Sequence, residues 1–212
     1  MFERLIAAGG LLRSRAVEVE GLVLQIPPGV LDPVLFRSGA WFARQVAQRV
    51  QPGMRVLDMG CGSGIVGLLA ARAGARVVAV DIEAPAVQAA RDNGLSDVRQ
   101  GDLFAPLVGE RFDLIAFNPP YLRGEARGRL PASRSLSRAL YGGPEVEVVR
   151  AFAQAVGSHL SPGGAAWVCW SDRAQDPPRA VLGGAWKEET RAVVQAELLS
   201  LYRLPGPTPP GA

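Results

Sequence analysis

The sequence predicts an α/β fold with a mostly parallel, doubly wound sheet and helices on both faces. Three observations carry this prediction. An apolar run at 56–58 ends in an acid and breaks into alternate glycines before a helical pattern. A second apolar run at 75–81 follows that helix and also ends in an acid, which is the pattern of a βαβ unit. Short apolar runs and helical segments then continue to alternate along the chain.

The segment before the first glycine loop is predicted to be an extension, residues 1–52, packed on the core. A helical pattern surrounds the leucines of residues 1–12, and 16–20 and 22–26 alternate like the two strands of a hairpin. Apolar residues of 38–50 recur at near-helical spacing. We therefore expect this extension to lead into a main domain over 53–204.

The main domain should contain strands and helices in regular succession. Apolar runs, helical periodicity and glycine or proline boundaries predict them in this order: strand 56–58, helix 65–73, strand 75–81, helix 85–93, strand 98–100, strand 111–117, helix 145–160, strand 164–170, and antiparallel closing strands within 186–203. Residues 205–212, rich in proline and glycine, are predicted to be a disordered tail.

Composition narrows the class of protein. The chain has 212 residues and a net charge of +3, so binding to nucleic acid is allowed but not required. No apolar run is long enough to span a bilayer, and the N-terminus lacks the layout of a signal peptide, so we expect a cytoplasmic protein with no membrane partner. Cys61, Cys169 and His159 offer neither a disulfide framework nor a metal-ligand set, so no metal is expected.

The glycine loop leaves two cofactor classes to weigh. Residues 62–67 satisfy G-x-G-x-x-G, which is typical of dinucleotide sites. Asp58 would however face the pyrophosphate of a dinucleotide and repel it. S-adenosylmethionine has no phosphate and carries a cationic ammonium and sulfonium, so the same acid favours it. Asp81, at the end of the next strand, is placed to accept the ribose hydroxyls of an adenosine.

The tetrapeptide Asn118-Pro119-Pro120-Tyr121 indicates the chemistry. It directly follows the strand 111–117, and its two prolines fix the backbone, so the loop is rigid. The Asn118 side-chain oxygen and a backbone carbonyl can hold the hydrogens of a planar NH₂ group and leave its nitrogen lone pair aimed at a methyl carbon. Tyr121 can stack on the same group. These residues predict N-methyl transfer by alignment, without a strong general base.

Three segments together resemble a known family. They are residues 56–67, which contain the pattern D-x-G-x-G-x-G, the N-P-P-Y tetrapeptide, and residues 139–150. The last segment is similar to A-L-x-G-G-x-D-G-L-x-x-x-R, although Glu145-Val146-Glu147 departs from its acid-glycine pair. The chain resembles class I S-adenosylmethionine-dependent methyltransferases of the NPPY group, most closely the HemK/PrmC release-factor glutamine methyltransferases. The resemblance implies a Rossmann-like fold with a mostly parallel seven-stranded sheet and an antiparallel C-terminal strand.

The resemblance also implies functional residues. It assigns the catalytic role to Asn118, Pro119, Pro120 and Tyr121, and a hydrogen bond to the adenine amino group to Asp102, with Leu103 against the ring. The full set expected to bind S-adenosylmethionine is Asp58, Gly60, Cys61, Gly62, Gly64, Asp81, Ile82, Asp102, Leu103 and Asn118.

The sequence does not decide which molecule accepts the methyl group. A protein substrate such as a translation release factor, methylated on a glutamine amide, leads narrowly over a base amine of rRNA or tRNA. An arginine-rich stretch at 123–138, predicted to be a flexible loop, would suit RNA phosphates or an acidic protein surface. Some relatives of the family work with a small partner subunit, so one is a possible partner here. A non-catalytic adapter that keeps the cofactor pocket is the alternative of another class.

Overall fold

The computed structural model of the protein describes residues 13–125 and 131–209. Its strands are β1 (Arg15–Val19), β2 (Leu22–Ile26), β3 (Arg55–Met59), β4 (Arg76–Asp81), β5 (Val98–Gln100), β6 (Phe112–Phe117), β7 (Leu160–Ser171), β8 (Lys187–Val194) and β9 (Glu197–Pro205). Its helices are α1 (Arg37–Ala47), α2 (Ile65–Arg72), α3 (Ala84–Asp92), α4 (Pro131–Arg138), α5 (Glu147–Ala155) and α6 (Pro178–Leu182).

One seven-stranded sheet carries the main domain, in the order β5-β4-β3-β6-β7-β9-β8. The strands from β5 to β7 run parallel, and β9 lies antiparallel to both of its neighbours. The predicted fold class is confirmed. The strand order reverses at β3, which has β4 on one side and β6 on the other, and ligands of open α/β sheets bind at such a switch point, beyond the carboxyl ends of the strands.

Alternate side chains of the central strands enter two different cores. Val56 and Leu114 belong to the cluster on the face that α1, α2 and α3 cover, whereas Leu57 and Ile115 belong to the cluster beneath α5 and α6. Side chains of a strand point alternately to the two faces, so a strand buried on both sides must be apolar throughout. This requirement explains the continuous apolar runs in the sequence, and each large side chain buried there contributes roughly 1.5–3 kcal/mol.

The N-terminal extension contains the predicted hairpin, with β1 and β2 paired antiparallel. Polar contacts join the hairpin to the end of α3 in the main domain and to α1 within the extension. Asn93 Oδ1, just beyond α3, accepts a hydrogen bond of 2.7 Å from the backbone N–H of Gln25, and Arg44 of α1 pairs with Glu20. The predicted helical pattern at residues 1–12 lies outside the described residues.

The arginine-rich stretch is not a loop throughout, and that prediction needs correction. Residues 131–138 form α4, which turns buried Ser133, Ser135 and Leu136 inward. Because two of these residues are serines, the buried face of α4 has little apolar character and the sequence pattern looked like a loop. Arg127 and Arg129 lie outside the described residues.

Smaller differences concern element ends. The helix predicted over 145–160 is α5 followed by a 3₁₀ turn at Val156–His159, and β7 is longer than the predicted strand. The tail is ordered beyond its predicted start, because the N–H of Gly206 donates to the carbonyl of Gly164 at 2.7 Å and Pro207 accepts from Gly163. Residues 210–212 lie outside the described residues. No helix within 13–125 and 131–209 is long and apolar enough to cross a membrane.

Candidate active site

The loop between β3 and α2 depends on its glycines. Gly60, Gly62 and Gly64 have φ values of 64°, 55° and 84°, a region that other residues enter at a steric cost. The N–H of Gly64 donates to the carbonyl of Cys61 at 2.8 Å, and the N–H of Cys61 donates to Val80 of the adjacent strand at 3.0 Å. The glycines therefore turn the chain sharply and leave bare backbone facing the space above the sheet.

Asp58 is a buried carboxylate below this loop. Its Oδ2 accepts a hydrogen bond of 2.8 Å from the N–H of Gly67 in the first turn of α2. A Cβ on Gly67 would lie 2.9 Å from Leu95 Cδ1 and 3.2 Å from Asp58 Oδ2, so only glycine allows this approach. Burial raises the pKa of Asp58 to about 7, opposed by the Gly67 hydrogen bond and reinforced by the charge of Asp81. A cationic ligand near Asp58 would restore its ionised form.

Asp81 ties the glycine loop to the end of β4. Its Oδ2 accepts from the N–H of Gly62 and its Oδ1 from the N–H of Glu83, both at 2.9 Å. Burial raises its pKa, and these two hydrogen bonds oppose the shift. A carboxylate has about four acceptor positions, so each oxygen retains capacity for one further donor such as a ribose hydroxyl.

One cavity spans the carboxyl ends of β3, β4, β5 and β6. It is lined by most of the residues predicted from sequence: Asp58, Gly60, Cys61, Gly62, Asp81, Ile82, Asp102, Leu103, Asn118 and Pro120. Three predicted residues, Gly64, Pro119 and Tyr121, are not among its lining residues, and Gly64 instead precedes the first residue of α2 as its N-cap.

Two further walls of the cavity were missed or only partly recognised from sequence. The segment after the hairpin contributes Asp32, Pro33, Phe36 and Ser38. Asp32 is buried, pairs with Arg15, and accepts the N–H of Val34 at 2.6 Å. Helix α4 contributes Ser135 and Arg138, both bound to Glu83 next to the end of β4. Most of these polar contacts join segments distant in sequence, so no local pattern marked them.

Asn118 directly follows the last residue of β6, and its side chain lines the same cavity. Its Oδ1 is buried and has no hydrogen-bond partner among the described residues. A buried acceptor without a partner costs roughly 1–3 kcal/mol, so native proteins keep few of them without a function. This oxygen is therefore available to accept a hydrogen bond from a ligand in the cavity.

The residues after the tetrapeptide are fixed by the 139–143 segment. Leu122 donates its N–H to the carbonyl of Leu140 at 3.2 Å, and the N–H of Gly124 donates to Gly143 at 3.0 Å. Gly142 lies so close that a Cβ on it would be 2.2 Å from the carbonyl oxygen of Pro120. The segment that resembles A-L-x-G-G therefore braces the proline loop directly.

Tyr121 points away from the cavity lining. Its hydroxyl donates to Glu197 Oε1 at 3.2 Å, and its ring lies tilted against Trp170 with centroids 6.1 Å apart. Stacking of Tyr121 on an acceptor stays a prediction. Glu197 was not recognised from sequence, since it is the first residue of β9 and lies 76 positions along the chain from its partner.

Two arginines of the 123–138 stretch are engaged within the protein. Arg123 Nε donates to Asp176 Oδ2 at 2.6 Å and its Nη1 is 3.5 Å from Glu145 Oε1, while Arg138 pairs with Glu83. Because these two arginines already pair with carboxylates of the protein, they are less available to an external anion. At least part of the 123–138 stretch therefore has a structural role.

Comparison with known proteins identifies relatives of this region. The methyltransferase small domain family matches residues 39–139. A release factor glutamine methyltransferase from Xylella fastidiosa is 38% identical over 126 residues, which are 52% of this chain and 44% of the relative. A ribosomal RNA small subunit methyltransferase C from Chromohalobacter salexigens is 36% identical over 147 residues, 64% of this chain and 44% of the relative.

The fold is also shared with a solved structure. A 16S rRNA methyltransferase from T. thermophilus, in complex with AdoMet and guanosine, superposes with a TM-score of 0.65 at 22% identity. The match covers 92% of this chain and 50% of that one. The chain spans about half the length of these relatives or less.

Proposed function

Because this chain belongs to the class I S-adenosylmethionine-dependent methyltransferases, we propose that it transfers a methyl group to a planar NH₂ nitrogen. The family's cofactor, S-adenosylmethionine, supplies an electrophilic methyl carbon when bound. The remaining work falls to residues of this chain, which bind, orient and hold the two reactants. A cytoplasmic location, where release factors and ribosomes act, is part of the proposal.

The lining of the cavity fits such a cofactor. Asp58, whose buried carboxylate a nearby positive charge would stabilise as an anion, would face the cationic amino acid end. Asp81 would accept the ribose hydroxyls with its free acceptor positions, and Asp102 with Leu103 would contact the adenine. Gly60 and Gly62 have no side chains, so the middle of the cofactor could lie close to their backbone.

The observation that carries the reaction is the unpartnered oxygen of Asn118. An NH₂ group in the cavity would donate one hydrogen to Asn118 Oδ1 and the other to a backbone carbonyl of the proline loop. Held in this way, the amine presents its lone pair in one direction. Amide and aromatic amines are poor nucleophiles because their lone pairs are conjugated, so alignment and polarisation by acceptors supply the catalysis.

A glutamine amide of a protein such as a release factor is our leading acceptor. The similarity to a release factor glutamine methyltransferase and the brace formed by residues 139–143 support it. The second candidate is a base amine of RNA, which the similarity to a ribosomal RNA methyltransferase favours. The chain spans less than half of both relatives, and a small partner subunit is proposed to assist acceptor recognition.

Labelled methyl transfer tests the proposal. The protein and S-adenosylmethionine with a labelled methyl group are added to an extract from cells lacking the protein, and protein and RNA are then separated. We expect label in a protein of release-factor size, and an Asn118→Ala variant as control should give little. Label in RNA alone would move the proposal to base methylation. No label in either fraction would contradict catalysis and favour a cofactor-binding adapter.

A further inference from the structure

We propose that Glu197 is a positioning residue for the N-P-P-Y loop and acts through the hydroxyl of Tyr121. The inference rests on the proposed function, because the loop is taken to hold the acceptor amine. Glu197 is the first residue of β9 and lies outside the cavity lining. It therefore contacts neither the cofactor region nor the acceptor oxygen of Asn118.

The Glu197 carboxylate accepts hydrogen bonds from two hydroxyl groups and lies close to an arginine. Its Oε1 accepts from Tyr121 Oη at 3.2 Å and also from the Ser171 hydroxyl, while its Oε2 is 3.3 Å from Arg173 Nε. Ser171 Oγ in turn accepts the N–H of Arg173 at 3.1 Å. The side chain of Glu197 is only 15% exposed. Charge-assisted hydrogen bonds in such a protected place are stronger and more directional than exposed ones.

The β8–β9 turn gives Glu197 a fixed position. Its two residues, Gln195 and Ala196, have φ values of 49° and 60°, which residues other than glycine seldom adopt. Val194 pairs with Glu197 directly after the turn, and β9 continues through a regular antiparallel register with β7. The carboxylate is thus anchored to the sheet. Unfavourable φ values are retained where the surrounding structure requires them.

The position of Tyr121 explains why this anchor matters. Tyr121 directly follows the two prolines, whose rings stiffen the chain between Asn118 and the tyrosine. A displacement of Tyr121 is therefore passed to the Asn118 end. Residues 139–143 hold the downstream side of the loop, and Glu197 holds the tyrosine itself. Burial raises the pKa of Tyr121, with Cys169 and Glu197 as further causes, so its hydroxyl stays a donor.

Substitutions separate positioning from binding. With the acceptor fraction that the labelling experiment identifies, Glu197→Ala and Tyr121→Phe should each lower the methyl-transfer rate at saturating S-adenosylmethionine by roughly tenfold, because small misplacements of reacting groups are costly. The double variant should lose no more than either single one. The dissociation constant for S-adenosylmethionine should stay within about twofold of wild type. Glu197→Gln, which keeps an acceptor oxygen, should recover part of the rate.

Glu188→Ala is the matched control. Glu188 lies on the same pair of closing strands, is exposed, and accepts a hydrogen bond from Ser200 at 2.9 Å. This variant should keep the wild-type rate. An equal loss in the Glu188 variant, or additive losses in the double variant, would overturn the positioning role.

Hydrogen exchange provides a readout that needs no acceptor. The amides of Leu122 and Gly124, bonded to residues 140 and 143, should exchange faster in Glu197→Ala than in wild type or Glu188→Ala, while amides of β3 and β4 should be unchanged. Faster exchange, with no methyl transfer even by the wild type, would refute the proposed function but support the anchor. Unchanged exchange and a full rate in Glu197→Ala would overturn the anchor.

Discussion

At the scale of single residues, the site combines groups whose ordinary behaviour the fold has changed. Asp58 is a carboxylate whose buried surroundings raise its pKa to about 7, and Asn118 Oδ1 is a buried acceptor without a partner in the described residues. Each is unfavourable in the protein alone and would be relieved by a ligand of the right charge or hydrogen-bonding character. The two features lie at the carboxyl ends of the paired strands β3 and β6, so they point to a cavity that holds a cationic group beside a hydrogen-bond donor.

Substitution of Asp81 and Asn118 should separate cofactor binding from turnover. Asp81→Ala should weaken S-adenosylmethionine binding by about tenfold or more, since it removes a half-buried carboxylate acceptor and the contact to Gly62. Asn118→Ala should leave that affinity nearly unchanged and depress the transfer rate by about a hundredfold, because its contact is made with the acceptor. Calorimetry and initial rates measure the two effects. Parallel losses of affinity and rate in both variants would count against the assignment.

The affinity for the cofactor should depend on the ionisation of Asp58. The pKa near 7 means that the carboxyl is mostly protonated at pH 5.5 and mostly ionised at pH 7.5. Only the ionised form attracts a cationic group, so the affinity for S-adenosylmethionine should rise by roughly 20-fold over this range. Titrations at a series of pH values measure it. Asp58→Asn should flatten the profile, and an unchanged slope in that variant would assign the dependence to another group.

At the scale of elements, the ends of the strands carry the residues proposed to bind ligands, and the loops and helices around them are joined by hydrogen bonds and ion pairs. The glycine loop is bonded to Asp81 of β4, α4 is bonded to Glu83, and the proline loop is braced by residues 139–143. These contacts join segments distant in sequence. Removing a contact near the proline loop should therefore change the transfer rate more than cofactor affinity, and removing one near the glycine loop should change cofactor affinity more.

Gly142 offers a test of this division. A Cβ there would lie 2.2 Å from the carbonyl oxygen of Pro120, so Gly142→Ala must shift the proline loop. We expect the transfer rate to fall by roughly tenfold or more, with a smaller effect on S-adenosylmethionine affinity. Gly157→Ala is the control, because a Cβ there would meet nothing within 4 Å. Wild-type activity in Gly142→Ala would show that the brace is dispensable.

The sequence was informative where one residue type is physically required. Buried parallel strands must be apolar, the tight loop needs glycines, and strand-end acids meet at one edge, so the sheet and most of the cavity lining could be predicted. Helix α4 could not, because its buried face contains serines and its attachment to Glu83 is a polar contact across distant segments. Glu197 escaped recognition for the same reason, since only the folded sheet brings it to Tyr121.

At the scale of the whole molecule, the sheet divides the work between two regions. The ends of β3, β4 and β5 form the part of the cavity suited to a nucleoside, and the end of β6 with its proline loop forms the part suited to a planar amine. The segment after the hairpin and α4 close the remaining sides. The proposed reaction requires both regions to be filled together, which a single cavity across the switch point allows.

The location of the transferred methyl group tests this account most directly. The labelled acceptor is to be digested and the modified residue or nucleotide identified by tandem mass spectrometry. We predict a methyl group on the nitrogen of a planar NH₂, first of all a glutamine amide, because Asn118 and a backbone carbonyl are arranged to hold two hydrogens on one nitrogen. A methyl group on carbon, on a ribose oxygen or on a carboxylate would contradict the account.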